Sequence, residues 1–140
     1  MIFQGGPAAM SSTRFEHTVE TVKSFDQAVE AIQQAAQRHG FRVLYIHDVA
    51  ADLAEKGFRR EPLKIVEICN ASYASQVLDR DVRMALMLPC PIAVYQQGGR
   101  VNISTMLPEI IARLCPEAGL EGLAQQVQKQ VVDIVNEAAR

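Results

Sequence analysis

Two consecutive glycines, Gly98 and Gly99, separate two short runs, residues 92–97 and 100–105, that alternate apolar and polar side chains. A two-residue hairpin turn demands positive φ values, which glycine adopts without the steric cost a Cβ imposes, so the flanks are expected to pair as antiparallel strands. The turn also sets the register. Tyr95 then opposes Asn102, Val94 opposes Ile103, Ala93 opposes Ser104 and Ile92 opposes Thr105. One side of this ribbon is greasy, while the other carries Ala93, Tyr95, Asn102 and Ser104. The greasy side calls for helices to cover it, which leaves the other for a subunit or a ligand.

The rest of the chain supplies the partners of that hairpin. Residues 14–22 alternate, with Phe15, His17 and Val19 on one side and Glu16, Thr18 and Glu20 on the other, the period of a half-buried strand. Ser24 and Gln27 form a capping box, after which Phe25, Ala28, Val29, Ile32, Ala35 and Ala36 recur at helical spacing until Gly40 stops the helix. A β-branched and aromatic run, residues 41–47, makes a second strand. Asp48 caps a short helix that ends at Gly57, and the charged loop after it leads to Pro62. Residues 63–69 are apolar on both parities except Lys64 and Glu67, as an inner strand would be. Asn70 caps the next helix, which carries Tyr73, Val77 and Leu78 on one face and ends in Asp79-Arg80-Asp81. Residues 82–88 fit either state, because Met84, Leu86 and Leu88 alternate whereas Val82-Arg83 would prolong a helix.

Pro108 opens a further short helix, stopped at Cys115-Pro116. Beyond it Leu120, Leu123, Ala124, Val127, Val131, Ile134, Val135 and Ala138 mark one stripe of a long amphipathic helix, with Gln125, Gln126, Gln128, Lys129 and Gln130 expected in water. The pattern predicts an α+β fold: a single mixed or antiparallel sheet of about five strands, helices packed mainly on one face, and a long C-terminal helix. Residues 1–12, rich in glycine and serine, are expected to be a flexible tail, and residues 13–140 a single domain.

Composition narrows the function classes. At 140 residues with 49% hydrophobic and 21% charged side chains, the chain has ample apolar surface to offset its folding entropy, which excludes overall disorder. Its net charge of −2 gives no global attraction to polyphosphate or an anionic membrane, so neither nucleic acid nor a membrane is expected as partner. Three cysteines without CxxC spacing suit a reducing, cytoplasmic location better than a disulfide framework.

The segment VEICNASYASQVLDRDVRMALMLPCPIAVY, followed by the glycine turn and VNIS, resembles the bacterial and archaeal family called domain of unknown function 302. Its most telling pieces are Glu67-Ile68-Cys69-Asn70, Tyr73-Ala74, Leu88-Pro89-Cys90 and Ala93-Val94-Tyr95, and the match spans about residues 14–110. The resemblance implies a compact α+β fold similar to one half of the TATA-binding-protein arrangement, usually dimeric, with no established activity. The helix after Leu114 lies outside these motifs, so its docking is expected from periodicity alone.

Candidate chemistry is sparse. Cys69 stands at a helix N-terminus, where the dipole favours a thiolate, and Cys90 lies between two prolines; free cysteines are otherwise small buried hydrophobes. Glu67 interrupts an apolar strand and is either an acid, base or anchor, or a solvated partner of Arg83 or Arg100. Tyr95 and Asn102 offer groups that orient small ligands or suit a dimer seam. His17 and His47 both read as inward strand positions, without the spacing of a metal pair, so neither metal nor cofactor is expected. No phosphate loop, nucleophile elbow or zincin motif is present, which disfavours common enzyme chemistry.

The leading expectation is a non-catalytic cytoplasmic homodimer that binds a small molecule or protein partner near Glu67, Cys69, Asn70, Cys90, Tyr95 and Asn102. One alternative is a thiol-dependent redox or sulfur-handling protein that uses Cys69 or Cys90. Another is a structural subunit of a larger assembly.

Overall fold

The computed structural model describes residues 14–140, so the tail expected at residues 1–12 lies outside the described residues. Five strands form one antiparallel sheet: β1 (Glu16–Thr21), β2 (Arg42–Asp48), β3 (Leu63–Cys69), β4 (Cys90–Gln97) and β5 (Arg100–Met106), in the spatial order β1-β5-β4-β3-β2. The hairpin has the register set by its glycines, with Tyr95 opposite Asn102 and Ala93 opposite Ser104. Gly98 and Gly99 take φ values of 60° and 80°, and their amides donate to the Glu61 carboxylate at 2.8 and 3.2 Å. Those bonds hold the Glu61 carboxyl below its usual range.

Two helices cover one face of the sheet. Helix α1 (Phe25–Arg38) begins at Ser24 with the expected capping box and buries Ala28, Val29, Ile32, Ala35 and Ala36. Its small residues bring it close to β2, β3, β4 and β5, while the long helix α5 (Glu121–Ala139) lies beside it over β1 and β5. Helix α5 buries the stripe its periodicity marked, from Leu123 to Ala138. Between helices and sheet, Val66, Ile68, Ile92, Val94, Ile103, Ile134 and Val135 are fully buried. His17 also faces α5 and meets Asn136 at 2.7 Å.

Shorter elements connect the strands and the two long helices. Helix α2 (Val49–Glu55) is capped by Asp48, α3 (Ala71–Arg80) by Asn70, and α4 (Glu109–Leu114) follows Pro108. The ambiguous residues 82–88 form a 3-10 helix, Val82–Met87, whose Met84 is buried; Asp81 caps it through the Arg83 amide. Two residues of the supposed wet face of α5 are engaged instead. Gln128 accepts from the Glu109 amide at 3.0 Å and Gln130 bonds His39 at 2.9 Å, because α4 and the end of α1 approach that flank.

Two strand positions depart from plain alternation. A β-bulge between Val43 and Tyr45 inserts one residue into β2, so Val43 opposes Ile68 on the covered face whereas Tyr45 opposes Glu67 on the other. Beyond the bulge His47 is likewise turned away from the helices, which corrects its inward reading. Phe15 precedes the first rung of β1 and is 59% exposed, so it does not join His17 and Val19 under α5.

Candidate functional site

Among the described residues, the side of the sheet away from α1 and α5 leaves a trough open along β1, β5, β4 and β3. On this open face, strand alternation and register bring Thr18 of β1, Ser104 of β5, Ala93 of β4 and Ile65 of β3 into one row, with Tyr95 and Asn102 a step along the strands. Three hydroxyl groups join across three strands: Tyr95 Oη lies 3.1 Å from Ser104 Oγ, and Ser104 Oγ lies 2.6 Å from Thr18 Oγ1. Thr18 in turn donates to the Glu16 carboxylate. Phe15, Ile65, Pro91, Ala93 and Met106 complete the walls of a shallow trough of about 560 Å³.

Glu67 stands on the same face toward β2. Its Oε2 lies 2.9 Å from His47 Nε2, and the His47 ring packs edge-on against Tyr45 with centroids 4.6 Å apart. The partners first considered for Glu67 are committed elsewhere: Arg83 to Asp81 at 2.6 Å and Arg100 to Glu20 at 3.5 Å. The bulge in β2 brings His47 within reach, and no spacing in the sequence signals it.

The six residues singled out in the sequence therefore divide. Tyr95, Asn102 and Glu67 share the open face. Asn70 serves structure at the far end of β3, where its Oδ1 accepts from the Tyr73 amide at 3.1 Å and its Nδ2 donates to the Gly40 carbonyl at 3.1 Å. Cys69 and Cys90 line a small apolar cavity of about 40 Å³ beneath α3, together with Phe41, Tyr73, Val77 and Leu88. Burial, and then the proximity of Cys69, push the Cys90 thiol up to about 11, which keeps it protonated and weakly nucleophilic near neutral pH.

Glu16, Thr18 and Ile65 were absent from the sequence-derived site. Thr18 and Glu16 fall on the polar parity of β1, and Ser104 on the polar side of the hairpin, but only the β1-β5 pairing puts them in contact. The histidines are dispersed among separate partners: His17 with Asn136, His39 with Gln130 and Glu137, and His47 with Glu67. No helix among the described residues is long and apolar enough to cross a membrane.

An antiparallel five-stranded sheet with helices on one face and a hydroxyl-lined trough on the other defines a class of α+β domain. The chain belongs to the family described as domain of unknown function DUF302, whose model matches residues 15–138 and so takes in helix α5 as well as the motif-bearing part. It is similar to the crystal structure of an uncharacterized conserved DUF302 protein from Bacillus stearothermophilus, at 26% identity and a TM-score of 0.86. That match covers 91% of this chain and 100% of the other. None of the curated proteins matches the chain.

Proposed function

We propose that this DUF302 chain is a non-catalytic binding module that works as a homodimer, two copies meeting open face to open face and enclosing the trough as a chamber for a small molecule. The observation that carries this is the sheet face left open among the described residues, where an apolar floor of Ile65, Ala93, Pro91 and Met106 is crossed by the hydroxyl row ending at Tyr95. A trough open along its length leaves a bound molecule largely wet, whereas binding sites for small ligands bury most of the ligand surface. A second copy related by a two-fold axis presents the same patch, so one self-complementary contact covers both floors and roofs both troughs. Tyrosine at the centre of such a seam is favoured, since it combines a large apolar ring with a polar tip. The three unpaired cysteines suit the cytoplasm as the place of action.

Native mass spectrometry tests this on the intact chain, because it reports subunit number and any retained ligand together. The expected species has twice the 15.5 kDa chain mass, with added mass that is lost on activation. A single-chain species at all concentrations sinks the proposal.

A further inference from the structure

The geometry points to a hydroxyl row, Thr18, Ser104 and Tyr95, that accepts hydrogen bonds at its Tyr95 end and offers none there, and hence to a ligand with a donor headgroup, a protonated amine above all, on a compact apolar body. This rests on the chamber proposed above and specifies its contents. A hydroxyl has one proton to give and an ionised carboxylate has none. Thr18 spends its proton on Glu16 Oε1, so toward Ser104 it can only accept. The Ser104 proton is then committed to Thr18 across 2.6 Å, and Ser104 in turn can only accept from Tyr95 across 3.1 Å. Every proton of the row points toward Glu16, and Tyr95 Oη meets the trough with lone pairs alone.

The surroundings reinforce this polarity. Among the described residues that line the trough, Glu16 carries the only charge, and Phe15, Ile65, Ala93 and Met106 have no side-chain donor. Thr105 directs its hydroxyl to the Pro91 carbonyl at 3.4 Å. Arg14 meets Glu16 outside the row, with Nε donating to the Glu16 carbonyl at 2.8 Å and lying 3.9 Å from Oε2. Further along the face Glu20 is paired with Arg100 and Glu67 with His47. The backbone donors of the inner strands are consumed by the ladder. An anionic headgroup here would meet acceptors and a carboxylate, whereas an ammonium group meets a phenolic oxygen beside an apolar floor.

Two ring-matched probes of opposite headgroup, benzylammonium and benzoate, separate the cases in amide chemical-shift titrations of the full chain. Benzylammonium is expected to shift the amides of Thr18, Tyr95 and Ser104 and to bind at least about tenfold more tightly than benzoate. Tyr95→Phe, which deletes the terminal acceptor, should abolish most of that preference. Thr18→Val frees the Ser104 proton to turn toward Tyr95 and the phenolic proton to turn into the trough, so benzoate should gain on benzylammonium. Benzoate binding as tightly as benzylammonium at these residues overturns the inference and leaves the face a binding site. Binding of neither probe at the face overturns the chamber as well. A ratio unchanged in either variant, each checked for folding by its amide spectrum, overturns the polarised row.

Discussion

Along β5, Val101, Ile103 and Thr105 are buried against α1 and α5, while Asn102, Ser104 and Met106, the residues between them, remain partly exposed on the other side of the same strand. The same contrast runs through β4, where Ile92 and Val94 are fully buried and Ala93 and Tyr95 are not. Both faces are held by one backbone ladder, so they differ only in what their side chains meet. The covered face is bought with burial and tolerates little change; the open face contributes little to the fold of a single chain and is free to serve recognition. Small residues and hydroxyls occupy its centre, and Glu20 with Arg100 and Glu67 with His47 pair toward the sides.

The largest expected effect separates the faces directly. Ile103→Ala empties a fully buried position and should cost about 2–5 kcal/mol in denaturant unfolding, whereas Ile65→Ala on the open face should cost about 1 kcal/mol or less in the monomer. Equal costs would break the contrast. A smaller effect is expected at Asn70, which caps α3 and clamps the Gly40 carbonyl. Asn70→Ala should cost about 1 kcal/mol and leave binding at the open face unchanged, since the residue lies at the other end of the core.

The smallest effect concerns the outer junction of α1 and α5. His39 is flanked by two acceptors, Gln130 at Nδ1 and Glu137 at Nε2, an arrangement satisfied only when both ring nitrogens carry protons. The Gln130 bond first, and then Glu137, raise its pKa above the ordinary 6.5, against a smaller opposing cost of burial, with Asp133 nearby and Arg38 on the far side of Glu137. A raised folded-state value means the stabilisation is fully present below about 6.5 and lost as pH rises through the folded value. His39→Ala should therefore destabilise more at about pH 5.5 than at about pH 8, by under about 1 kcal/mol because the site is partly exposed to solvent. Urea midpoints across that range check it, and a difference that grows with pH would reverse the assignment.

Much of this architecture was legible locally. The Gly98-Gly99 turn dictated the hairpin register, and the apolar period of residues 120–138 marked the buried stripe of α5. What escaped was set by contacts between distant strands. The extra residue in β2 reverses the parity of Tyr45 and His47, and plain alternation has no sign of it. Thr18 reaches Ser104 only because the first strand pairs with the last, a neighbour relation that neither segment encodes alone. Cys69 and Asn70 looked functional by type and position, yet one borders an apolar cavity and the other holds a helix end.

Light scattering on the wild-type chain and on Ala93→Arg tests most directly whether the open face is where two copies meet. Ala93 lies at the centre of the trough floor, where an added guanidinium can extend into solvent in a single chain but not across a face-to-face seam. The account predicts twice the 15.5 kDa chain mass for the wild type and the single-chain mass for a folded Ala93→Arg. A wild type of single-chain mass, or a variant that stays paired, would contradict it.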